Sequence, residues 1–374
     1  MKITRLQLVA LPALVLALPI LAALAAPAEL PPSGVQLRGA VSHPGALDNA
    51  LIQGLPTYRR LIKVAGSDGK YRCALEVEGY ALRDILDRAE VKKKVDDGFN
   101  RPLDTLIVVR GRAHTQALFS YGEVFLAPDG GPLLADRARF VLPGHHAPLK
   151  AETNDPTVLR SGEERGRLSL QSCASCHAGP EPPALSLPKG WLLTAPQDGF
   201  GGRFVEDVAE IAVQQVGVPA KKEASASATT VVDSPVLVAP DGAQTKLTPE
   251  RFQQTAGQDW KDATFGEGRG FRGYFNWQGA DLEGVLRPLL PAGVNPREVW
   301  VLVTAADGYR SVYSGSEVFA APADRRVLLV DRANGAPLGA GSGRYMVVPK
   351  ADFYADRGVR LVKEIRIGLM SPPG

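Results

Sequence analysis

Apolar and polar positions fall into two rhythms along this chain. Residues 105–109 (TLIVV), 299–303 (VWVLV), 326–330 (RVLLV) and 365–367 (IRI) are short β-branched and aliphatic runs bounded by turn formers, which predicts strands. Residues 82–89 (LRDILDRA) and 282–286 (LEGVL) space their apolar side chains three and four apart, which predicts helices. Strands dominate, with one clear helix in each half. Near the start both rhythms vanish: Lys2 and Arg5 flank an almost wholly apolar run over 6–24 that ends in Ala23-Leu24-Ala25, a small-x-small cleavage site. That layout predicts a signal peptide over 1–25 and a periplasmic protein, tied to the membrane only if the segment stays uncleaved.

The pattern also repeats. RCALEVEGYAL over 72–82 and RGYFNWQGADL over 272–282 agree in polarity at an offset of 200. SYGEVF over 120–125 matches SGSEVF over 314–319 at 194, and Asp136-Arg137-Ala138 matches Asp331-Arg332-Ala333 at 195. Pro196, Phe200, Val208, Glu210 and Ile211 then match Pro349, Phe353, Val362, Glu364 and Ile365 at only about 153. The drop locates an insertion in the first copy. The expected layout is a first domain over 33–218, interrupted at about 143–187, a small and polar linker over 219–229, and a second domain over 230–371.

Composition changes this picture little. An apolar fraction of 45% can build real cores, and a net charge of +3 with no basic stripe argues against nucleic acid. The insertion, however, carries Cys173-Ala174-Ser175-Cys176-His177. A C-x-x-C-H run is the attachment pattern of haem c: Cys173 and Cys176 would form the thioethers and His177 would be the proximal iron ligand. Ser161 and Glu164 have the capping-box spacing for a helix leading into Cys173. His145 or His146, at the opening of the same insertion, is the candidate distal ligand. His43 and His114 belong to the scaffold, and Met346, on a predicted strand, reads as core. Cys73 has no cysteine left to pair with and reads as a packed thiol.

GAVSHPG over 39–45, GYALRDIL over 79–86, GGRFVEDV over 201–208 and ADGY over 306–309 resemble the molybdopterin-binding domain of the sulfite oxidase superfamily. The resemblance implies an α+β fold, here two tandem mixed β-sheet domains with a haem-bearing insertion in the first. The chain departs from the family at its metal ligand. Molybdenum enzymes of that type use a cysteine in a loop further upstream, whereas Cys73 lies six residues before Gly79 in a β-like run, opposite Gly273 in the repeat. Arg110, Arg112, Arg325, Arg326 and Arg332 either clamp a pterin phosphate, which suits a guanidinium fork, or are solvated surface residues.

These readings converge on an exported mono-haem c-type cytochrome that exchanges electrons with a redox partner protein, on a degenerate molybdopterin-domain scaffold. The alternatives are a molybdopterin-dependent, sulfite-oxidase-like oxidoreductase with built-in haem, and a haem-based sensor or ligand-binding module. The electron carrier is preferred over the enzyme, and no catalytic residue is assigned, because no G-x-S-x-G or H-E-x-x-H run is present.

Overall fold

The computed structural model describes residues 34–65, 71–93, 99–128, 131–141, 157–158, 190–198, 203–216 and 232–370. The expected signal peptide, the linker and all but 157–158 of the insertion lie outside the described residues. Among the described residues no helix is long and apolar enough to cross a membrane.

The aliphatic runs form the strands Thr105–Gly111, Val299–Ala305, Val327–Ala333 and Val362–Leu369. The helical spacings form Leu82–Ala89 and Leu282–Leu286. Leu82, Ile85, Leu86 and Ala89 line one buried face of the longer helix, and Glu90, in the left-handed region at φ 55°, ends it.

Each half of the chain builds two sheets. The first inner sheet runs in the order Gly45–Ala46, Gln36–Gly39, Val208–Gln215, Thr105–Gly111, Gln116–Ser120. The second inner sheet repeats that order with Gln244–Lys246, Val236–Val238, Val362–Leu369, Val299–Ala305 and Arg310–Ser314. Both are mixed, since the strand that opens each half lies parallel to the strand that closes it. The outer sheets are antiparallel and centre on long hairpins, Tyr58–Ala65 with Tyr71–Ala81 and Ala256–Gly266 with Gly270–Asp281. Thr157–Val158 adds a short strand to the first outer sheet, beside Leu133–Phe140.

The sheets pack face to face in succession. One core joins the first outer and inner sheets through Leu134, Leu193, Ile107, Val109 and Ile211, and its counterpart joins the second pair through Ala280, Leu329, Val301, Val303 and Ile365. Between them Leu106, Val108 and Leu118 meet Leu302 and Val312, so the two inner sheets share a third apolar layer.

This corrects the expected fold. The chain is not a pair of tandem α+β domains of the molybdopterin-binding type. It is a succession of four β-sheets stacked as propeller blades are, with helices of at most eight described residues at their edges. The resemblance rested on short segments at turns and helix starts, which several β architectures share. It missed that each copy supplies two sheets, because the second sheet comes from hairpins whose alternation is partly polar.

One close approach recurs in both copies. A Cβ on Gly79 would lie 2.2 Å from the Leu134 carbonyl oxygen, and one on Gly279 would lie 2.2 Å from that of Leu329. Both glycines sit where the register shifts against the neighbouring strand, so the bulge needs a residue with no side chain.

Candidate functional site

Two short segments with the same local chemistry meet where the inner sheets touch. Ser120 ends one edge strand and caps the helix Tyr121–Phe125, and Ser314 does the same for Gly315–Phe319. In each, the serine Oγ accepts from the backbone N–H of the glutamate three residues on, at 3.1 Å for Glu123 and 3.2 Å for Glu317. Each glutamate carboxylate accepts in return from the serine N–H, a reciprocal capping box.

The serine hydroxyls then cross between the repeats. Ser120 Oγ donates to Glu317 Oε2 at 2.6 Å, and Ser314 Oγ donates to Glu123 Oε2 at 3.0 Å. Each glutamate is also paired within its own repeat, Glu123 with Arg203 and Glu317 with Arg357. Each arginine forks onto an aspartate five residues earlier, Arg203 onto Asp198 at 2.8 and 2.5 Å and Arg357 onto Asp352 at 2.8 and 2.5 Å. Arg357 Nη1 reaches across to Ser120 Oγ at 2.7 Å, and Arg203 Nη1 reaches Ser314 Oγ at 3.3 Å. Arg203 also lies over Phe119 and Arg357 over Tyr313, at 4.2 and 4.7 Å from the ring centroids. The cluster is a two-fold arrangement of Ser, Glu, Asp and Arg, each member having its counterpart in the other repeat.

Burial makes this arrangement electrostatically costly. Arg357 is 0% exposed and Arg203 2%, and both glutamates are buried. Desolvation pushes the Glu123 carboxyl up to about 7, against the pull of Arg203 and with a push from Glu317. Desolvation likewise raises Asp352 to about 6, opposed by Arg357. The arginines stay charged: burial disfavours the cation, but Asp198 and Glu123 outweigh it for Arg203, and Asp352 and Glu317 do so for Arg357. A cavity of about 30 Å³, room for about one water, touches all four carboxylates and both arginines. Gln197, Ser316 and Arg325 add polar groups to its wall, and Ala127, Ala321, Pro322 and Ala351 close it. Both polar atoms of the Gln197 amide are buried there without a hydrogen-bond partner.

The residues singled out from the sequence are placed differently. Cys173, Cys176, His177, His145 and His146 lie outside the described residues. Cys73 is half-buried in the strand Tyr71–Ala81, and burial pushes its thiol up to about 11, with Glu206 adding to the rise. Its strand neighbours are Val64 opposite and the apolar side chains of Tyr58, Ile62 and Phe204, a packed setting in the first outer sheet. The candidate pterin clamps are engaged elsewhere: Arg110 with Glu210, Arg112 with Asp207, Arg326 with Asp281 and Arg332 with the Gly335 carbonyl, while Arg325 lines the small cavity. Met346 is buried beside Trp277, Leu328 and Val348. His43 is exposed near Glu90, and His114 sits in a turn at φ 58°.

These placements correct the functional expectation. Among the described residues no group of three or more His, Cys, Asp or Glu side chains is arranged to hold a metal. The four-sheet fold is also not the molybdopterin-binding fold from which a pterin site was expected. The readings as haem c electron carrier, as molybdopterin oxidoreductase with haem and as haem-based sensor, with their haem c and molybdopterin cofactors, are therefore replaced by what the inter-repeat junction supports.

Most of that junction escaped the sequence reading. The Ser-x-x-Glu pairs mark the repeat in the sequence, but no local pattern says that they meet across it. The aspartate–arginine forks were missed although both copies carry D-x-x-x-x-R, Asp198 to Arg203 and Asp352 to Arg357, just after the matched prolines Pro196 and Pro349. A one-residue change in offset hides the match. No family model matches the chain, and no curated protein does. Among solved structures it is similar to the sulfane dehydrogenase SoxCD from Paracoccus pantotrophus, at 12% identity and a TM-score of 0.29 over 88% of this chain and 77% of that one, a likeness too slight to bear on fold or function.

Proposed function

We propose that this chain is an exported binding scaffold in which two β-rich repeats are held together by a proton-linked junction. Export rests on the basic, apolar and small-residue layout of 1–25. The reading is carried by one observation: two buried carboxylate–arginine sets, one from each repeat, are cross-bonded through Ser120 and Ser314. An exported protein meets pH that no cytoplasmic buffer controls, and a junction titrating near neutrality responds to it.

The direction of that response follows from linkage. Glu123 holds its proton up to about pH 7 in the folded chain, but from an ordinary value of 4.5 it ionises once unfolded. Folding takes up a proton between those values, so this stabilisation is complete below the unfolded value and is lost as the pH rises through about 7. Asp352, raised from 3.8 to about 6, acts in the same sense over a lower window. Facing Glu123 are Arg203, Glu317, Asp198, Ser120 and Ser314. The test is thermal unfolding between pH 5 and 8. Wild-type stability should fall toward pH 8, and Glu123→Gln, which fixes the neutral form, should flatten that fall. An unchanged slope in Glu123→Gln would remove the proposal.

A further inference from the structure

We infer that the long edge strand of the second repeat, Ala256–Gly266, is a docking surface for a second copy of this chain, the two strands pairing antiparallel about a two-fold axis at Trp260. The strand ends its sheet, and among the described residues no strand pairs with its outer side. An edge of this length is a template for another chain unless its side chains forbid the pairing. Here the side chains select one partner, the same strand.

Register and charge together fix the pairing. An axis perpendicular to the sheet keeps each face on its own side, so a residue can oppose only residues that share its face. Asp259 and Lys261 share one face, are exposed, and within their own chain stand opposite the neutral Gln278 and Asn276. Centring the pair on Asp259, on Lys261 or on Asp262 sets identical charges against each other. Centring it on Trp260 sets Asp259 opposite Lys261 on both sides of the axis and brings Gln258 opposite Asp262. Unlike charges directly opposite across two strands attract and like charges repel, so Asp259-Trp260-Lys261 complements its own reverse.

The central residue adds an apolar contact to the charge match. Trp260 stands opposite Trp277 in its own hairpin and packs on the layer that holds Trp277, Leu328 and Met346. Across the axis it meets its copy, so a row of tryptophans, two from each chain, crosses the joined sheets. The corresponding edge of the first repeat, Tyr58–Ala65, carries Arg59, Arg60 and Lys63 and no acid, and it repels its own copy. One self-complementary edge per chain makes a contact that closes at two copies.

The test is sedimentation velocity of the full mature chain from low micromolar to near-millimolar concentration. A monomer–dimer equilibrium is expected within that range, because one strand pair buries less than the roughly 800 Å² per partner of a standard stable interface. Lys261→Asp and Asp259→Lys, both at exposed positions, each set like charges opposite each other and should weaken the dimer about tenfold or more. Mixing the two variants places lysine against aspartate on both sides of the axis, so the mixture should recover a dimer containing one copy of each. A loss of folding in either variant would give no such recovery. The inference is overturned if the wild type stays monomeric at near-millimolar concentration, or if either variant dimerises as the wild type does. It is also overturned if the mixture recovers nothing, or if the wild type grows beyond a dimer, as pairing of this edge with the basic edge of the first repeat would make it do.

Discussion

The two outer sheets share a backbone and differ in what they carry, whereas the junction shares both. Strand Tyr71–Ala81 has Cys73, Leu75 and Val77 where Gly270–Asp281 has Gly273, Phe275 and Trp277, and Arg60 stands where the second hairpin has Trp260. The second hairpin has thus become aromatic, with Phe275 stacked on Trp277 at 4.7 Å. At the junction, Ser, Glu, Asp and Arg are the same in both copies. The difference teaches that residues bonding across the repeats are constrained by each other, while outward faces are free to diverge toward separate tasks.

Breaking the junction tests the constrained side of that comparison and should have the largest effect. Arg357→Ala leaves Asp352 and Glu317 buried without their cation, and Arg203→Ala does the same to Asp198 and Glu123. Each should lower stability by about 3–5 kcal/mol in urea unfolding. If the junction is a two-fold unit, the two losses should be similar and their combination less than additive. Additive losses would mean that the repeats are held independently.

The bulge glycines give a smaller test. Gly79→Ala and Gly279→Ala each drive a methyl into a backbone carbonyl, and each should cost about 1–3 kcal/mol. Near-equal values would show that the backbone is shared even where the faces differ. The smallest effect should come from the apolar layer of the second outer sheet: Met346→Leu, a volume-conserving swap, should cost under about 1.5 kcal/mol.

The sequence revealed local structure and repetition better than assembly. Leu82, Ile85 and Leu86 mark their helix because a single face must be buried, and 105–109 mark their strand because both faces are buried. Nothing in a linear pattern says that Ser120 will meet Glu317, since that bond spans 197 positions and depends on two sheets packing together. The C-x-x-C-H run shows the converse limit: a short motif can be chemically specific while the fold around it is not readable from it.

The crossed serine bonds have one more consequence. Ser120 bonds Glu317 and Ser314 bonds Glu123, so that each half offers the other the same patch it receives. That reciprocity is the mark of an isologous contact, the kind that joins identical subunits about a two-fold axis. Within one chain it makes the molecule a tethered dimer, whose halves meet at an effective concentration on the order of millimolar whatever the concentration of the protein. Dilution, which separates ordinary dimers, leaves this one assembled.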